Sequence, residues 1–469
     1  MTGNVALTVL ACGVALLVTA AVCPAADWPP VLDDKNVTTK GVDGRLIERF
    51  IHGPRAEWGY AESAAGEWRY PAGQETGAAQ QNHDSFYVVT PLQPRAGAPL
   101  CVVLHSANRT AYDYLGYGYL NRKIDGGDDP ATCMTNPPAD FYALYLNSTN
   151  AEWWGYSQAR QNPGFAKGVN VAPPGEKRVL DTIEWVVNKY QIDRNRIYLC
   201  GVSMGGCGTL GLGLPHGEIF AAIRADVPAG TDYANYRWGG FAPAPAWDAT
   251  QAERDAWLKR AAGVGKVDPP VIVDFSSEMD TWATTQPALV QAAVAGRLPL
   301  VLCWGMYGHT TFASHIAASS PICQVPLAFP WTEIRKNEAY PVFTHASCDG
   351  RVPWLNAPAD YDGAGQMNAY FRWKSVQDTP TKLVMQLWIE HPTVTGNAPG
   401  MPKEATATVT LRRLQQLVVK PGTSYAWKVT RGGKEVAAGQ VRPDAVGLLT
   451  MAGVKVSTDQ EELTVEGRG

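Results

Sequence analysis

A strand that ends in a serine between glycines is the feature of this sequence that most restricts its fold. The apolar run at residues 197–200 is followed at once by Gly201-Val202-Ser203-Met204-Gly205, and the next segment can form a helix. A chain that turns this sharply from strand to helix needs small residues two positions before and after the serine, because larger side chains would collide. Gly201 and Gly205 meet this need. We therefore predict that the Ser203 hydroxyl lies above the edge of a sheet.

Apolar runs alternate with segments long enough to be helices, which indicates a parallel sheet covered by helices. Short strands are expected at residues 86–89, 100–104, 141–146, 220–223, 271–275 and 298–303. One helix is clear, because its apolar residues share one helical face: Val179, Leu180, Ile183, Val186, Val187 and Tyr190. The pattern predicts an α/β domain over residues 85–325, with a doubly wound, mostly parallel sheet.

The pattern changes at about residue 329, where short strands joined by Gly- and Pro-containing turns replace the alternation. Strands are expected at residues 370–373, 383–388, 405–411, 417–420, 425–429 and 463–465. This spacing is typical of a β-sandwich, so residues 329–469 are predicted to form a C-terminal all-β domain. Residues 27–84 lack strong periodicity and are interpreted as a lead-in of strands and loops.

The first 26 residues carry no charged side chain and contain an almost unbroken apolar run from Val5 to Val22. This pattern predicts a secretory signal peptide at residues 1–26 and a secreted or periplasmic protein, with no membrane span once the signal is removed. No Lys or Arg precedes the run, so an uncleaved anchor is the alternative. Export would allow up to three disulfides of open connectivity among seven cysteines: Cys101, Cys133, Cys200, Cys207, Cys303, Cys323 and Cys348.

Composition excludes several classes of protein. The chain has 469 residues, of which 45% are hydrophobic and 18% charged, so it is neither disordered nor a multi-span membrane protein. Its 40 Lys and Arg and 44 Asp and Glu give a net charge of −4, which lacks the basic character of a nucleic-acid binder. His309 and His315 have no partners at the spacing of metal ligands. We expect no nucleic-acid partner, no metal and no cofactor.

A serine hydroxyl is a weak nucleophile, so the Ser203 motif predicts a carboxylate and then a histidine later in the chain. Asp280 follows the expected strand at 271–275, and His309 follows the one at 298–303. The carboxyl ends of parallel strands share one edge, where these side chains can meet. We predict Ser203 as nucleophile, His309 as general base and Asp280 as the acid that orients it. Glu278 and Asp226 are alternative carboxylates.

Two further sets of residues are candidates for substrate contact. Stabilisation of an oxyanion needs two backbone N–H donors, and these are assigned to Met204 and to Ala107 or Ser106 in the loop after residues 100–104. Three tryptophans are candidate contacts for sugar or aromatic groups, although packing is the alternative role for each: Trp153, Trp154 and Trp282.

The run from Asp193 to Thr209, D-R-N-R-I-Y-L-C-G-V-S-M-G-G-C-G-T, resembles the corresponding region of secreted α/β-hydrolases. The closest resemblance is to predicted peptidases and esterases near feruloyl esterases and polyhydroxybutyrate depolymerases, over about residues 85–320. It implies an α/β-hydrolase fold and carboxylic-ester hydrolysis without a cofactor. His105-Ser106 replaces the usual His-Gly, and Ser277 replaces a glycine before the acid. The C-terminal part resembles a fibronectin type III or immunoglobulin-like module.

The resemblance implies a secreted serine esterase. The aromatic-rich loops and the appended module favour a polymeric ester substrate, either an acetyl or feruloyl ester of a polysaccharide or a polyester. A serine peptidase of the prolyl-oligopeptidase type is one alternative, because the same three residue types cleave peptides there. A non-catalytic binding or adhesion protein is the other.

Overall fold

The computed structural model describes residues 30–32, 39–41, 43–52, 55–58, 61–62, 68–69, 84–107, 109–118, 137–147, 153, 172, 174–228, 237–238, 250–263, 267–280, 282–283, 286–310, 313–350, 363–394 and 401–467. The predicted signal peptide, Cys133 and Trp154 lie outside these residues. Within the described part, no helix is both long enough and apolar enough to cross a membrane.

The strands are numbered along the chain. They are β1 (Val31–Leu32), β2 (Thr39–Lys40), β3 (Leu46–His52), β4 (Ala61–Glu62), β5 (Trp68–Arg69), β6 (Asp84–Val89), β7 (Leu100–Leu104), β8 (Tyr142–Leu146), β9 (Ile197–Val202), β10 (Ala222–Asp226), β11 (Val271–Ser277), β12 (Leu300–Gly305), β13 (Tyr340–Thr344), β14 (Gly365–Met367), β15 (Phe371–Thr379), β16 (Lys382–Ile389), β17 (Glu404–Arg412), β18 (Tyr425–Arg431), β19 (Lys434–Val441), β20 (Thr450–Ser457) and β21 (Glu461–Gly467). The α-helices are α1 (Ala111–Gly118), α2 (Pro174–Tyr190), α3 (Met204–Gly213), α4 (Gln251–Ala261), α5 (Gln286–Gly296), α6 (Ala313–Ser319) and α7 (Gln324–Leu327).

The main sheet has the strand order β1-β3-β6-β8-β7-β9-β10-β11-β12-β14, with β2 beside β3. The strands from β8 to β12 in this order are parallel to one another, whereas β6 and β14 run antiparallel to their neighbours. Every residue of β7, β8 and β9 is buried, which is the reason for their continuous apolar runs. The predicted α/β fold with a mostly parallel sheet is confirmed.

Two antiparallel sheets form the C-terminal region, in the orders β13-β17-β20 and β15-β16-β21-β18-β19. Phe343 of β13 stacks on Phe371 of β15, with ring centroids 4.2 Å apart, so the two sheets meet through an apolar layer. Val409 and Leu463 in the same core are fully buried. The predicted β-sandwich is therefore confirmed.

The segment at 417–420 is irregular, so the predicted strand there is wrong. The N–H of Leu417 donates to Oδ1 of Asp378 at 2.7 Å, and the N–H of Lys420 donates to the Tyr425 hydroxyl at 2.8 Å. That hydroxyl donates in turn to the carbonyl oxygen of Val418 at 2.8 Å. A tyrosine that bonds to backbone a few residues upstream is a corner typical of sandwich folds. These bonds use the groups that a strand would need for pairing.

One arginine fastens the sandwich to the main sheet. Arg412 ends β17 and is 3% exposed. Its guanidinium donates to the carbonyl oxygens of Ala262, Gly296 and Arg297 at 2.7 to 2.8 Å, and to Oδ1 of Asp268 at 2.9 Å. The chain also returns to the main sheet after β13, because β14 pairs with β12. The main sheet and the sandwich are thus joined by the Arg412 hydrogen bonds and by the pairing of β14 with β12, in addition to the connecting chain.

The six cysteines that the structure describes are free thiols. Cys101 and Cys200 lie on the neighbouring strands β7 and β9, with their Sγ atoms 3.8 Å apart. Both side chains are buried among apolar residues of the main sheet. They therefore contribute to the core as small apolar groups.

Candidate active site

Ser203 lies between β9 and α3 in a strained backbone conformation. Its φ of 56° and ψ of −116° lie in a region that non-glycine residues rarely adopt. The N–H of Ser203 donates to the carbonyl oxygen of Asp226, and the N–H of Cys207 donates to that of Ser203, both at 2.9 Å. The ends of β10 and α3 therefore hold the serine in this conformation.

The glycines around Ser203 are required by close backbone contacts. A β-carbon at Gly201 would lie closer than 3.0 Å to the carbonyl oxygen of Gly205. One at Gly206 would lie 2.9 Å from the carbonyl oxygen of Asp226. Distances below 3.0 Å are far inside normal contact, and a backbone carbonyl cannot rotate away as a side chain can. The turn has this shape only with glycine at these positions.

Asp280 and His309 are brought together from the loops after β11 and β12. Nδ1 of His309 donates to Oδ2 of Asp280 at 2.6 Å, and the N–H of Trp282 donates to Oδ1 at 2.9 Å. The Asp280 side chain is 2% exposed and that of His309 is 35% exposed. Nε2 of His309 makes no hydrogen bond to any described residue. The imidazole is therefore anchored at one nitrogen and open at the other.

Ser277 joins the two loops that carry Asp280 and His309. Its hydroxyl oxygen accepts hydrogen bonds from the N–H of Gly308 at 2.9 Å and of Met279 at 3.3 Å. The Tyr307 hydroxyl donates to the carbonyl oxygen of Ser276 at 2.7 Å, which adds a second link. In the sequence, Ser277 stands out only because it replaces a glycine found before the acid in the family that the chain resembles. The structure gives it a role that glycine could not fill, because glycine has no hydroxyl.

The alternative carboxylates Glu278 and Asp226, and the nearby Asp274, have other surroundings. Glu278 is half-buried, and its N–H donates to the carbonyl oxygen of Gly305 at 3.0 Å. Oδ1 of Asp226 accepts a hydrogen bond from Nε of Arg224 at 3.0 Å, and burial raises the pKa of Asp226 to about 6. Asp274 on β11 is also buried, and burial raises its pKa to about 7 although Ser276 and Gln286 donate to it. Among these groups, Asp280 is the carboxylate that pairs with a histidine.

The candidate oxyanion donors differ in their availability. The N–H of Ser106 donates to the Tyr114 hydroxyl at 3.1 Å and is therefore already engaged. Ala107 is exposed, and its N–H donates to no described residue. Met204 is the first residue of α3, where N–H groups have no helical acceptor and carry partial positive charge. Among the described residues, Ala107 and Met204 are thus the pair whose N–H donors have no acceptor.

The predicted tryptophan contacts have separate environments. Trp153 is fully buried, and its Nε1 donates to the carbonyl oxygen of His105 at 3.0 Å. A β-carbon at Gly208 would lie 2.7 Å from Cβ of Trp153, so the indole is packed tightly against α3. Trp282 is 54% exposed and follows Asp280 by two residues. Only Trp282 of these two is open to a substrate in the described structure.

The strand order of the main sheet and the strand–serine–helix turn together define the α/β-hydrolase fold. The sheet has an antiparallel strand, β6, followed in space by six parallel strands. The serine follows the middle strand β9, and the aspartate and histidine follow β11 and β12 at the same edge. This chain order of serine, acid and histidine is that of α/β-hydrolases.

Comparison with known proteins gives structural neighbours only. No family model and no curated protein matches the sequence. An S-formylglutathione hydrolase from Staphylococcus aureus is similar with a TM-score of 0.34 and 13% identity, covering 58% of this chain and 94% of that chain. A CE1 ferulic acid esterase from Anaeromyces mucronatus gives 0.34 and 13%, covering 61% and 92%. An acetyl xylan esterase from Aspergillus awamori gives 0.29 and 16%, covering 42% and 68%.

Proposed function

We propose that this protein is a serine hydrolase of carboxylic esters, with Ser203, His309 and Asp280 as its catalytic residues. The observation that carries the proposal is the 2.6 Å hydrogen bond from His309 to Asp280, made at the sheet edge where the strained Ser203 turn also lies. A histidine fixed by a buried carboxylate is the base that a serine nucleophile needs.

We propose the following reaction for these groups. Nε2 of His309 accepts the Ser203 proton as Oγ attacks the ester carbonyl, and Asp280 keeps the proton on Nδ1 and stabilises the imidazolium. The N–H groups of Met204 and Ala107 donate to the oxyanion. His309 then protonates the departing alcohol, which leaves an acyl-enzyme. Water activated by His309 releases the acid and restores the Ser203 hydroxyl.

The proposed substrate is an ester on a polymer, either an acetyl or feruloyl ester of a polysaccharide or a polyester. The exposed indole of Trp282 beside Asp280 offers a flat apolar surface to an aromatic or sugar ring. The buried Trp153 is left out of this substrate surface. We propose secretion or export to the periplasm through residues 1–26, which places the enzyme where such polymers occur.

The first test is turnover of p-nitrophenyl acetate by the mature protein and by Ser203→Ala. Loss of the nucleophile should lower kcat by about 10⁴-fold, and thermal unfolding of the variant should match that of the wild type. Equal rates in both proteins would contradict the proposal. A fluorophosphonate should label the wild type and not the variant.

The peptidase alternative is tested by the substrate. Cleavage of a proline-containing peptide amide at a rate similar to that of an ester would favour a peptidase over an esterase. If wild-type protein neither turns over esters or amides nor reacts with the fluorophosphonate, a binding or adhesion function would replace catalysis.

A further inference from the structure

A cleft whose lining includes none of Ser203, Asp280 and His309 lies between residues 329–340 and the strands β15 and β16. Its volume is about 250 Å³, and its walls include Phe329, Trp373 and Trp388. Phe329 packs near Trp373, with ring centroids 6.0 Å apart. Both tryptophans are half-buried, so each presents part of its ring to the cleft. The aromatic walls suit a ligand with a ring.

A buried guanidinium that has no carboxylate partner among the described residues lies in the wall of this cleft. Arg372 is 6% exposed, and its guanidinium carbon lies 4.9 Å from the ring centroid of Phe329. Nη1 donates to the carbonyl oxygens of Ala369 at 2.7 Å and Phe371 at 3.0 Å. Nε and Nη2 donate to no described residue. Both atoms keep some exposure to solvent. Two N–H donors of one cation are therefore available from the cleft.

The electrostatic environment of Arg372 favours an anion. Burial lowers the pKa of Arg372 to about 10, against the opposing influence of Glu390 and Glu333, so the group remains a cation at neutral pH. Glu333 and Glu338 also line the cleft, but both are exposed to solvent, which screens their charge. Lys374 adds a further cation to the lining. A buried charge without a partner is costly, and a bound carboxylate would offset that cost.

We propose that this cleft binds a carboxylate attached to a six-membered ring. The carboxylate oxygens accept hydrogen bonds from Nε and Nη2 of Arg372, and the ring lies against Trp373 and Trp388. Two adjacent N–H groups of a guanidinium match the two oxygens of a carboxylate. This chemistry fits a free aromatic acid or a uronic acid unit of a polysaccharide.

Calorimetric titration of the whole mature protein tests the proposal. Benzoate represents the aromatic acid and glucuronate the uronic acid, while benzamide and glucose are the neutral counterparts. We expect at least one acid to bind, and Arg372→Met to weaken its binding about tenfold or more. Protein whose Ser203 carries the fluorophosphonate should bind the acid as unlabelled protein does, which separates this cleft from the proposed catalytic site. Binding of benzoate alone or of glucuronate alone identifies which source fits.

Three results would overturn the proposal. These are the absence of binding by either acid at millimolar concentration, equal binding of the neutral counterparts, and unchanged binding by folded Arg372→Met. If Arg372→Met does not fold, the comparison of acids with neutral counterparts in the wild type still decides the matter. Trp388→Ala then provides the second variant, with a severalfold loss of affinity expected from the missing ring contact.

Discussion

Gly205 packs directly on Leu104, so that a β-carbon at position 205 would lie closer than 3.0 Å to the Leu104 carbonyl oxygen. Leu104 is the last residue of β7, and the loop that follows it contains Ala107. Met204 immediately precedes Gly205. This contact therefore holds the start of α3 against the end of β7, from which the loop with Ala107 begins.

Replacing Gly205 by alanine should destabilise the fold. The added methyl group meets backbone on β7, and overpacking of this kind costs about 1–3 kcal/mol. Thermal unfolding should therefore begin at a lower temperature in Gly205→Ala, and ester turnover should fall with it. For thermal unfolding, Ser203→Ala is the matched control in the same turn, because it introduces no clash. A Gly205→Ala protein with wild-type stability and turnover would contradict the packing described here.

Asp280→Asn should lower kcat for p-nitrophenyl acetate by about 10³- to 10⁴-fold, because an amide can no longer hold the proton on Nδ1 of His309. Glu278→Gln is the matched control, since Glu278 lies two residues away in the same loop and is only half-buried. Its rate should stay within a few-fold of the wild type. A large loss of kcat in Glu278→Gln with only a small loss in Asp280→Asn would instead assign the role of the acid to Glu278.

His216 should make stability fall at alkaline pH. Burial acts to lower its pKa, but hydrogen bonds to Glu176 at 2.8 Å and Glu218 at 2.6 Å outweigh burial and raise the pKa to about 9. Because the pKa of His216 is higher in the folded protein than in the unfolded one, the protonated histidine stabilises the fold. This stabilisation is complete at pH values below the unfolded pKa of about 6.5. It is lost as the pH rises through the folded pKa of about 9. The full contribution is at most about 3 kcal/mol.

Denaturant unfolding at pH 6 and pH 10 measures this effect. His216→Gln should be less stable than the wild type at pH 6, and the difference should shrink by pH 10. The exposed His315→Gln should show the pH dependence of the wild type. An equal destabilisation by His216→Gln at both values would mean that the histidine acts by packing and not by charge.

Arg412→Met should destabilise the protein by about 3–5 kcal/mol, because three carbonyl oxygens and Asp268 lose their donors together. The midpoint of urea unfolding measures the change. Lys382→Met is the control, since its pair with Glu466 is exposed and such pairs contribute about 1 kcal/mol or less. Similar effects of the two substitutions would show that the Arg412 contacts add little.

The buried strands of the main sheet could be predicted from sequence because both of their faces are covered. β7 begins and ends at the predicted residues, and β11 begins at the predicted one. β9 extends two residues beyond the predicted end, since Gly201 and Val202 still pair with β10. Apolar runs mark burial, and they do not mark where a hydrogen-bond ladder stops.

Strands outside the main core left weaker signals. β19 has no buried residue, so its sequence lacks an apolar pattern, and β14 has only three residues. The sandwich strands β13 and β20 were also missed, although they contain buried residues. Neither β19 nor β14 was predicted. Their positions depend on the partners β18 and β12, which lie nearby in the fold and carry the pairing information.

The turn at Ser203 and the pairing of Asp280 with His309 were predictable because each residue follows a recognisable strand. The surroundings of Trp153 and Ser106 were not, because they depend on contacts with residues distant in sequence or on a loop conformation. Trp153 is covered by His105 and α3, and the N–H of Ser106 is taken by Tyr114. Local sequence gives no information about either contact.

The path of the chain through β13 and β14 bears on how such a protein can be altered by recombination. After β13 has entered the sandwich, β14 returns to the edge of the main sheet, and β15 then resumes the sandwich. Recombination that exchanges everything after residue 330 would therefore replace β14 of the main sheet together with the whole sandwich. The C-terminal region cannot be exchanged as a cassette at that point, and its sequence must change together with that of β12.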